Sequence, residues 1–162
     1  MKQRRADCLE AALFAIMVFK FHRIPSFLVD LESVRDEDHE LCVYKIEGKY
    51  GSIAQSKFLG LKFRNPVYKT VRELVMSYFE HYFNFFGELT LRAYSIPVRF
   101  GNDSSWFYSD RKIEEIDATL YHIKHYSVLD KKKRLPTIGA EKFRKETLII
   151  PDGEKIGKKY RI

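Results

Sequence analysis

Cysteine is scarce in this chain, and no long apolar run is present. The 162 residues include only two cysteines, Cys8 and Cys42. Two cysteines are too few for a disulfide framework, so both thiols are expected to be free, as in a reducing compartment such as the cytoplasm.

The apolar run from Leu13 to Phe19 is too short to span a membrane and has no small-residue cleavage site after it. The sequence therefore predicts neither a membrane anchor nor a secretory signal. Hydrophobic residues make up 45% of the chain against 31% charged residues, which excludes a disordered chain and predicts a folded core.

Excess positive charge is confined to the last part of the chain. The formal net charge is +7, and the residues after 130 contribute 11 of the 29 basic but only 4 of the 22 acidic side chains. The first 130 residues are therefore neutral overall. This distribution of charge predicts a folded domain over 1–130 and a basic tail over 131–162.

Hydrophobic spacing predicts helices and strands in alternation. Asp7 and Glu10 have the spacing of a capping box, and an apolar stripe after Pro66 indicates the clearest helix. The predicted elements are a helix over 7–21, strands over 27–31, 39–46 and 49–56, a helix over 71–86, a strand over 90–100 and a last helix spanning 113–123. This order predicts an α+β domain in which an N-terminal helix packs on an antiparallel sheet, with further helices.

Cys8 is the first candidate for chemistry, because it falls at the first position of the predicted helix. The N-terminal N–H groups and dipole of a helix favour a thiolate. A cysteine nucleophile also needs a base, and His39 opens a strand after a charged loop. If the turn is Glu47-Gly48, facing residues have numbers that sum to 95, which places Ser56 opposite His39. A shift of one residue brings Gln55 or Lys57 there instead.

Structural roles compete with each of these assignments. A cysteine in an apolar helix is more often a small core residue, and Cys42, inside a strand, is assigned to the core. A histidine at a strand start is also more often structural. His122 and His125 are spaced to share a metal, but no third ligand is evident, so no metal or cofactor is predicted.

Several segments together resemble a prokaryotic branch of the transglutaminase-like superfamily, which has a papain-like fold. They are "ADCLEAALFA", "PSFLVDLESVRDEDHELCVYKIEGKYGSIAQSKF", "LKFRNPVYKTVRELVMSYFEHYFN" and "LTLRAYSIP", which cover about residues 6–98. The resemblance implies that Cys8 is a nucleophile and His39 its base. Ala54 stands near the position of the superfamily's third residue, usually Asp, and Lys57 stands where the branch tends to carry Asn. Only seven residues precede Cys8, so a truncated member is an open interpretation.

What the resemblance implies is a cysteine-dependent amide hydrolase or acyltransferase acting on a peptide or protein amide. Cys8 would form a thioester while His39 moves the proton, with Ser56 or Gln55 orienting the imidazole. The alternative is a catalytically inactive binding module whose basic tail contacts an acidic partner or nucleic acid. A tail that only improves solubility is preferred to a nucleic-acid contact, because no aromatic stacking platform is evident beside the charges.

Overall fold

The computed structural model describes residues 7–101 and 104–137 of this chain. It is an α+β structure in which a six-stranded antiparallel sheet carries helices on both faces. The helices are α1 (Cys8–Phe21), α2 (Val71–Met76) and α3 (Asp110–Leu120), and the strands are β1 (Ser26–Ser33), β2 (His39–Ile46), β3 (Lys49–Ile53), β4 (Phe63–Tyr68), β5 (Leu91–Ser95) and β6 (His125–Ser127).

The strand order is β4-β3-β2-β1-β5-β6, so β1 and β2 lie at the centre. Both are buried on their two faces. Their odd-numbered apolar residues, such as Leu31 and Leu41, join the core beneath α2, whereas Leu28 and Cys42 join the core beneath α1. The face beneath α2 is called the α2 face below, and the opposite one the α1 face. The assignment of Cys42 to the core is confirmed.

The first helix begins where the sequence predicts. The Asp7 carboxylate accepts from the Glu10 N–H at 2.8 Å, and Glu10 reaches back to the Asp7 N–H, which completes the capping box. Two orphan N–H groups are thereby satisfied, which stabilises a helix by about 1 kcal/mol. Cys8 is therefore the first residue of α1.

The hairpin register is also as predicted. Cys42 pairs with Ile53 and Ile46 with Lys49, so facing numbers sum to 95. Glu47 and Gly48 both have positive φ, 49° and 77°, as a two-residue hairpin turn requires. However, β3 ends at Ile53, because the Ala54 N–H turns to the Lys62 carbonyl. The ladder therefore never reaches a pair between His39 and Ser56.

The long helix predicted over 71–86 is wrong in its extent. α2 ends at Met76, where the Ser77 hydroxyl donates to the Leu74 carbonyl at 2.6 Å and Arg64 donates to the Ser77 carbonyl at 2.9 Å. These side chains donate to carbonyl groups that would accept from backbone N–H groups if the helix continued. Most of the apolar stripe is nevertheless buried, whereas Phe86 is 75% exposed.

Two strands were not predicted, and both are edges of the sheet. β4 contains Pro66, which an edge strand tolerates because its missing N–H is not required by a neighbour. β6 is only three residues long and follows the last helix directly. Only residues 131–137 of the predicted basic tail are described; the rest of it lies outside the described residues.

Gly51 is required by close packing in the hairpin. A Cβ at this position would lie 2.7 Å from Cζ of the Tyr44 ring and 2.8 Å from the Arg64 carbonyl oxygen. Gly51→Ala is expected to lower the free energy of unfolding by about 1–3 kcal/mol, as overpacking does. Chemical denaturation measures this. Gly48→Asn is the control, because Asn tolerates the left-handed region and nothing lies within 4 Å of a Cβ there; equal losses in the two variants would contradict the packing argument.

Candidate functional site

The structure places Cys8 and His39 on opposite faces of the sheet. Cys8 begins α1, and its thiol lies near the carboxyl group of Glu40 on β2. His39 precedes Glu40, so its side chain points to the other face. There its Nε2 lies 3.1 Å from the Leu61 carbonyl oxygen and its ring lies 6.4 Å from that of Tyr82. The described structure does not bring the predicted nucleophile and base together.

The thiol of Cys8 is also not activated. Burial, followed by the nearby Glu40 carboxylate, raises the pKa of Cys8 from 9.0 to about 12. The helix N-terminus was expected to lower this pKa, but a carboxylate in contact with the thiol opposes a second negative charge. Burial lowers the pKa of His39, which keeps its imidazole neutral while Nε2–H donates to the Leu61 carbonyl.

The residues expected to orient His39 lie elsewhere. Because β3 ends at Ile53, neither Gln55 nor Ser56 is paired with β2. Gln55 is exposed, and the Ser56 hydroxyl accepts from the Phe58 N–H at 3.1 Å. The ladder likewise does not extend to Lys57, the third alternative for this position.

In place of the predicted dyad, the described residues form a row of polar groups across four strands. Glu40 of β2 pairs directly with Asp30 of β1. The Asp30 N–H donates to the hydroxyl of Ser95 on β5 at 2.9 Å, and Ser95 pairs with His125 of β6. The His125 imidazole reaches back to Asp30, with 2.9 Å between Nε2 and Oδ2. Glu40, Asp30, Ser95 and His125 are called the polar row below.

The two carboxyl groups of the polar row are deeply buried and incompletely satisfied. Asp30 is 4% exposed and Glu40 7% exposed, and neither Asp30 Oδ1 nor Glu40 Oε2 has a hydrogen-bond partner among the described residues. Burial raises the pKa of Asp30 to about 7, against the lowering effect of the His125 hydrogen bond, and burial also raises the pKa of Glu40. Ionising two adjacent buried carboxyl groups together costs a large free energy, so the row retains protons near neutral pH.

Sequence reasoning missed this row for an identifiable reason. The sequence places His125 with the last helix and spaces it to share a metal with His122, whereas its partner in the fold, Asp30, is far away in sequence. Within 7–101 and 104–137, no group of three or more His, Cys, Asp and Glu side chains is arranged to hold a metal ion. An acidic residue inside an otherwise apolar strand, as in "FLVDL", was the available signal.

A second candidate region is the basic edge formed around β6. Lys131, Lys132, Lys133 and Arg134 are all exposed. Arg92, buried at a bulge of β5, fixes the start of this segment: its Nη2 donates to the Lys133 carbonyl at 3.0 Å, and its own carbonyl accepts from Val128 and Leu129. The segment Lys131–Arg134 is therefore held against the sheet where it leaves β6.

An aromatic side chain is exposed on the strand that leads into this segment. Tyr126 of β6 is 43% exposed, and the ammonium of Lys124 lies 5.2 Å from the centre of its ring. Tyr94 supports the ring from the neighbouring strand at a centroid distance of 5.6 Å. The described edge thus carries an exposed ring beside Lys124, while the expectation that no stacking platform accompanies the charges of the tail stays a prediction.

A cavity of about 280 Å³ lies between α3 and the segment after β5. Phe100, Trp106 and Ile116 form much of its apolar wall. None of Cys8, His39, Ser56 or Gln55 lines it, so this cavity gives no access to the predicted catalytic groups.

No protein-family model matches the chain, and no curated protein shows significant similarity to it. Among the described residues, no helix has both the length and the apolar character needed to cross a membrane.

The environment of Cys8 predicts slow alkylation. A pKa of about 12 leaves about a thousandfold less thiolate at neutral pH than the ordinary value of 9.0. Iodoacetamide labelling followed by mass spectrometry is therefore expected to be slow at Cys8. Glu40→Gln removes the neighbouring charge and is expected to accelerate labelling, whereas His39→Ala is the control and leaves the rate unchanged. Rapid labelling of Cys8 that is lost in His39→Ala would contradict the described geometry.

Proposed function

We propose that this chain, although its sequence resembles the transglutaminase-like superfamily, is a binding module without cysteine-histidine chemistry, and that it binds single-stranded nucleic acid along the basic edge at β6. The observation that carries the proposal is a supported, exposed tyrosine, Tyr126, on the strand that leads into the exposed cations of Lys131–Arg134. The separation of Cys8 from His39 by the sheet supports a role other than catalysis.

The charges of the basic edge are suited to a phosphate backbone. Lys132, Lys133 and Arg134 are exposed, and Arg134 lies close enough to Glu88 to help lower the pKa of that carboxyl group. Arg72 approaches the same edge and donates to the Ser127 carbonyl at 3.1 Å. Cations placed along one strand edge attract phosphates without sequence preference, and their contacts weaken as salt rises.

The tyrosine favours nucleic acid over an acidic protein. Single-stranded nucleic acids combine phosphate contacts with bases that stack on aromatic rings, each stacked base contributing about 1–3 kcal/mol. Tyr126 lies next to Lys124 and is backed by Tyr94, so its ring is held in place at the edge. An acidic protein surface would use the cations but would have no need of the ring.

The cysteine-dependent hydrolase or acyltransferase is a weaker second candidate. Its support is that Cys8 stands at the first position of a capped helix and is only partly buried. Such an enzyme needs an imidazole within reach, and on the α1 face His125 is separated from Cys8 by Glu40 and Asp30. The alkylation experiment above tests this candidate independently of nucleic acid.

The first binding experiment removes charge from the basic edge. Fluorescence anisotropy with a short labelled single-stranded oligonucleotide is measured between about 50 and 200 mM salt. Neutralising Lys132, Lys133 and Arg134 to Gln is expected to weaken binding and to reduce the slope of log affinity against log salt by about 2, at about 0.7 per lost phosphate contact.

A matched triple variant controls for net charge. Lys45 lies on β2, Lys49 on β3 and Lys62 directly before β4, all on the far side of the sheet from β6. Changing these three to Gln removes the same charge and is expected to leave the salt slope close to that of the unmodified chain. Equal losses in both triple variants would sink the assignment of the site to β6, and no measurable binding by the unmodified chain would sink the proposal itself.

The second binding experiment tests stacking. Tyr126→Ala is expected to weaken oligonucleotide binding by about 1–3 kcal/mol at unchanged salt slope, because it removes a stacking surface and no charge. Tyr126→Trp keeps an aromatic face and is expected to bind at least as well as the unmodified chain. Tyr108→Ala is the control, since Tyr108 is 82% exposed but belongs to the turn before α3. Unchanged affinity in Tyr126→Ala would show that the ring is not used.

A further inference from the structure

We propose that Asp30 and His125 share a single proton that latches β6 to the sheet, and that loss of this proton on going to alkaline pH loosens β6 and the basic segment after it. The latch is a property of the fold and stands without the proposed function. Its effect on nucleic-acid binding rests on that function.

The hydrogen bonds of His125 fix how many protons the contact needs. Nδ1 lies 2.9 Å from the Ile123 carbonyl oxygen, which can only accept, so Nδ1 carries a hydrogen. Nε2 lies 2.9 Å from Asp30 Oδ2. That contact holds together if the carboxyl group donates to a neutral ring or if a charged ring donates to the carboxylate. With neither proton present, a lone pair of Nε2 would face a carboxylate oxygen.

The surroundings make such an unprotonated contact costly. The side chain of Asp30 is 5% exposed and that of His125 is 14% exposed, so little water can separate the two groups. Within 7–101 and 104–137, Asp30 Oδ1 has no hydrogen-bond partner that would help to stabilise a charge. Burial raises the pKa of Asp30, which means that the fold favours the protonated carboxyl group.

The other titratable groups around Asp30 are acidic. Glu40 lies opposite it on β2, and Cys8 of α1 contacts Glu40 in turn. Asp38, in the connection before β2, raises the pKa of Asp30, and Asp117 of α3 acts in the same direction on Glu40. These groups disfavour a further negative charge in the row. They therefore favour retention of the proton between Asp30 and His125.

Tyr82, on the α2 face, is electrostatically coupled to Asp30 and Glu40, and its pKa is raised, chiefly by burial. Tyr121, at the end of α3, is coupled to the row as well. Its pKa is raised chiefly by Asp117, with smaller effects from burial and from Asp38, Glu40 and Asp30. Near neutral pH its phenol is uncharged and adds no cation that could replace the shared proton. The latch thus depends on the proton itself.

The latch matters because β6 is a short edge strand. It has three residues and, among the described strands, pairs with β5. Val128 and Leu129, directly after it, both donate to the Arg92 carbonyl, at 2.7 and 3.1 Å. These bonds lead directly into Lys131–Arg134. Loss of the contact between Asp30 and His125 would leave this edge with a short ladder, these two bonds, the donations of Arg72 and Arg92 to the Ser127 and Lys133 carbonyls, and the ion pair between Lys131 and Glu32.

Amide hydrogen exchange tests the latch without any ligand. The full chain is compared between about pH 6 and about pH 9, with rates corrected for the intrinsic pH dependence of exchange. Protection of the Val128 and Leu129 amides is expected to fall by up to about tenfold per pH unit once the shared proton is lost, as linkage to one proton requires. Amides of α1 are the internal reference and are expected to keep their protection.

Two substitutions remove the need for the shared proton from opposite sides. In Asp30→Asn, the amide can donate to Nε2 of a neutral ring. In His125→Gln, the amide can donate to the Asp30 carboxylate. Both are expected to make protection of Val128 and Leu129 independent of pH within about twofold. His122→Gln is the matched control, because His122 is exposed at the end of α3, and it is expected to behave like the unmodified chain. If one of the two variants fails to fold, the other still tests whether the pH dependence of protection requires the shared proton.

Protection at Val128 and Leu129 that does not change with pH in the unmodified chain would overturn the latch. So would an Asp30→Asn or a His125→Gln variant with the same pH dependence as the unmodified chain. Oligonucleotide affinity is measured over the same pH range as a separate readout. A pH-dependent exchange without nucleic-acid binding would keep the latch and remove the proposed function, so the two failures are distinguishable.

Discussion

The antiparallel pairing of β1 with β2 is the constraint on which the rest of the structure depends. Both strands are buried on two faces, so each pair of facing residues is committed to one core or the other. The same register that packs Leu31 and Leu41 beneath α2 places Asp30 opposite Glu40 beneath α1. A shift of one residue in this register would move the apolar residues to the α1 face and the acidic residues to the α2 face. The acidic side chains would then be buried in the larger apolar core.

This register decides the chemistry available to Cys8. The helix dipole at the start of α1 favours a thiolate, but its effect is worth at most about 2 kcal/mol. Burial and, after it, the adjacent Glu40 act against the thiolate and raise the pKa of Cys8 from 9.0 to about 12. Burial beside a carboxyl group therefore outweighs the helix terminus. A cysteine in the position typical of a nucleophile is in this fold a neutral thiol.

Long-range polar contacts tie the last described segment of the chain to the centre of the sheet. Asp30 lies in the central strand β1, whereas His125 and Lys133 belong to the last described elements. The Asp30–His125 contact holds β6 from beneath α1, and Arg92 holds the segment that follows. Exposed cations and Tyr126 are thus displayed on an edge fixed by buried groups. A buried titratable pair in this place couples the position of a surface element to protonation of the interior.

The sequence by itself determined what depends on near neighbours. Asp7 and Glu10 specify the start of α1, and Glu47-Gly48 specifies both the turn and the hairpin register, because caps and tight turns are decided by a few adjacent residues. The tertiary structure alone decided which faces the side chains occupy. "HELCVYKI" is buried on both sides, so its pattern does not reveal that Glu40 rather than His39 faces Cys8. Likewise, only the fold brings His125 to Asp30, since nothing local to either residue identifies a partner on a strand two positions away in the sheet.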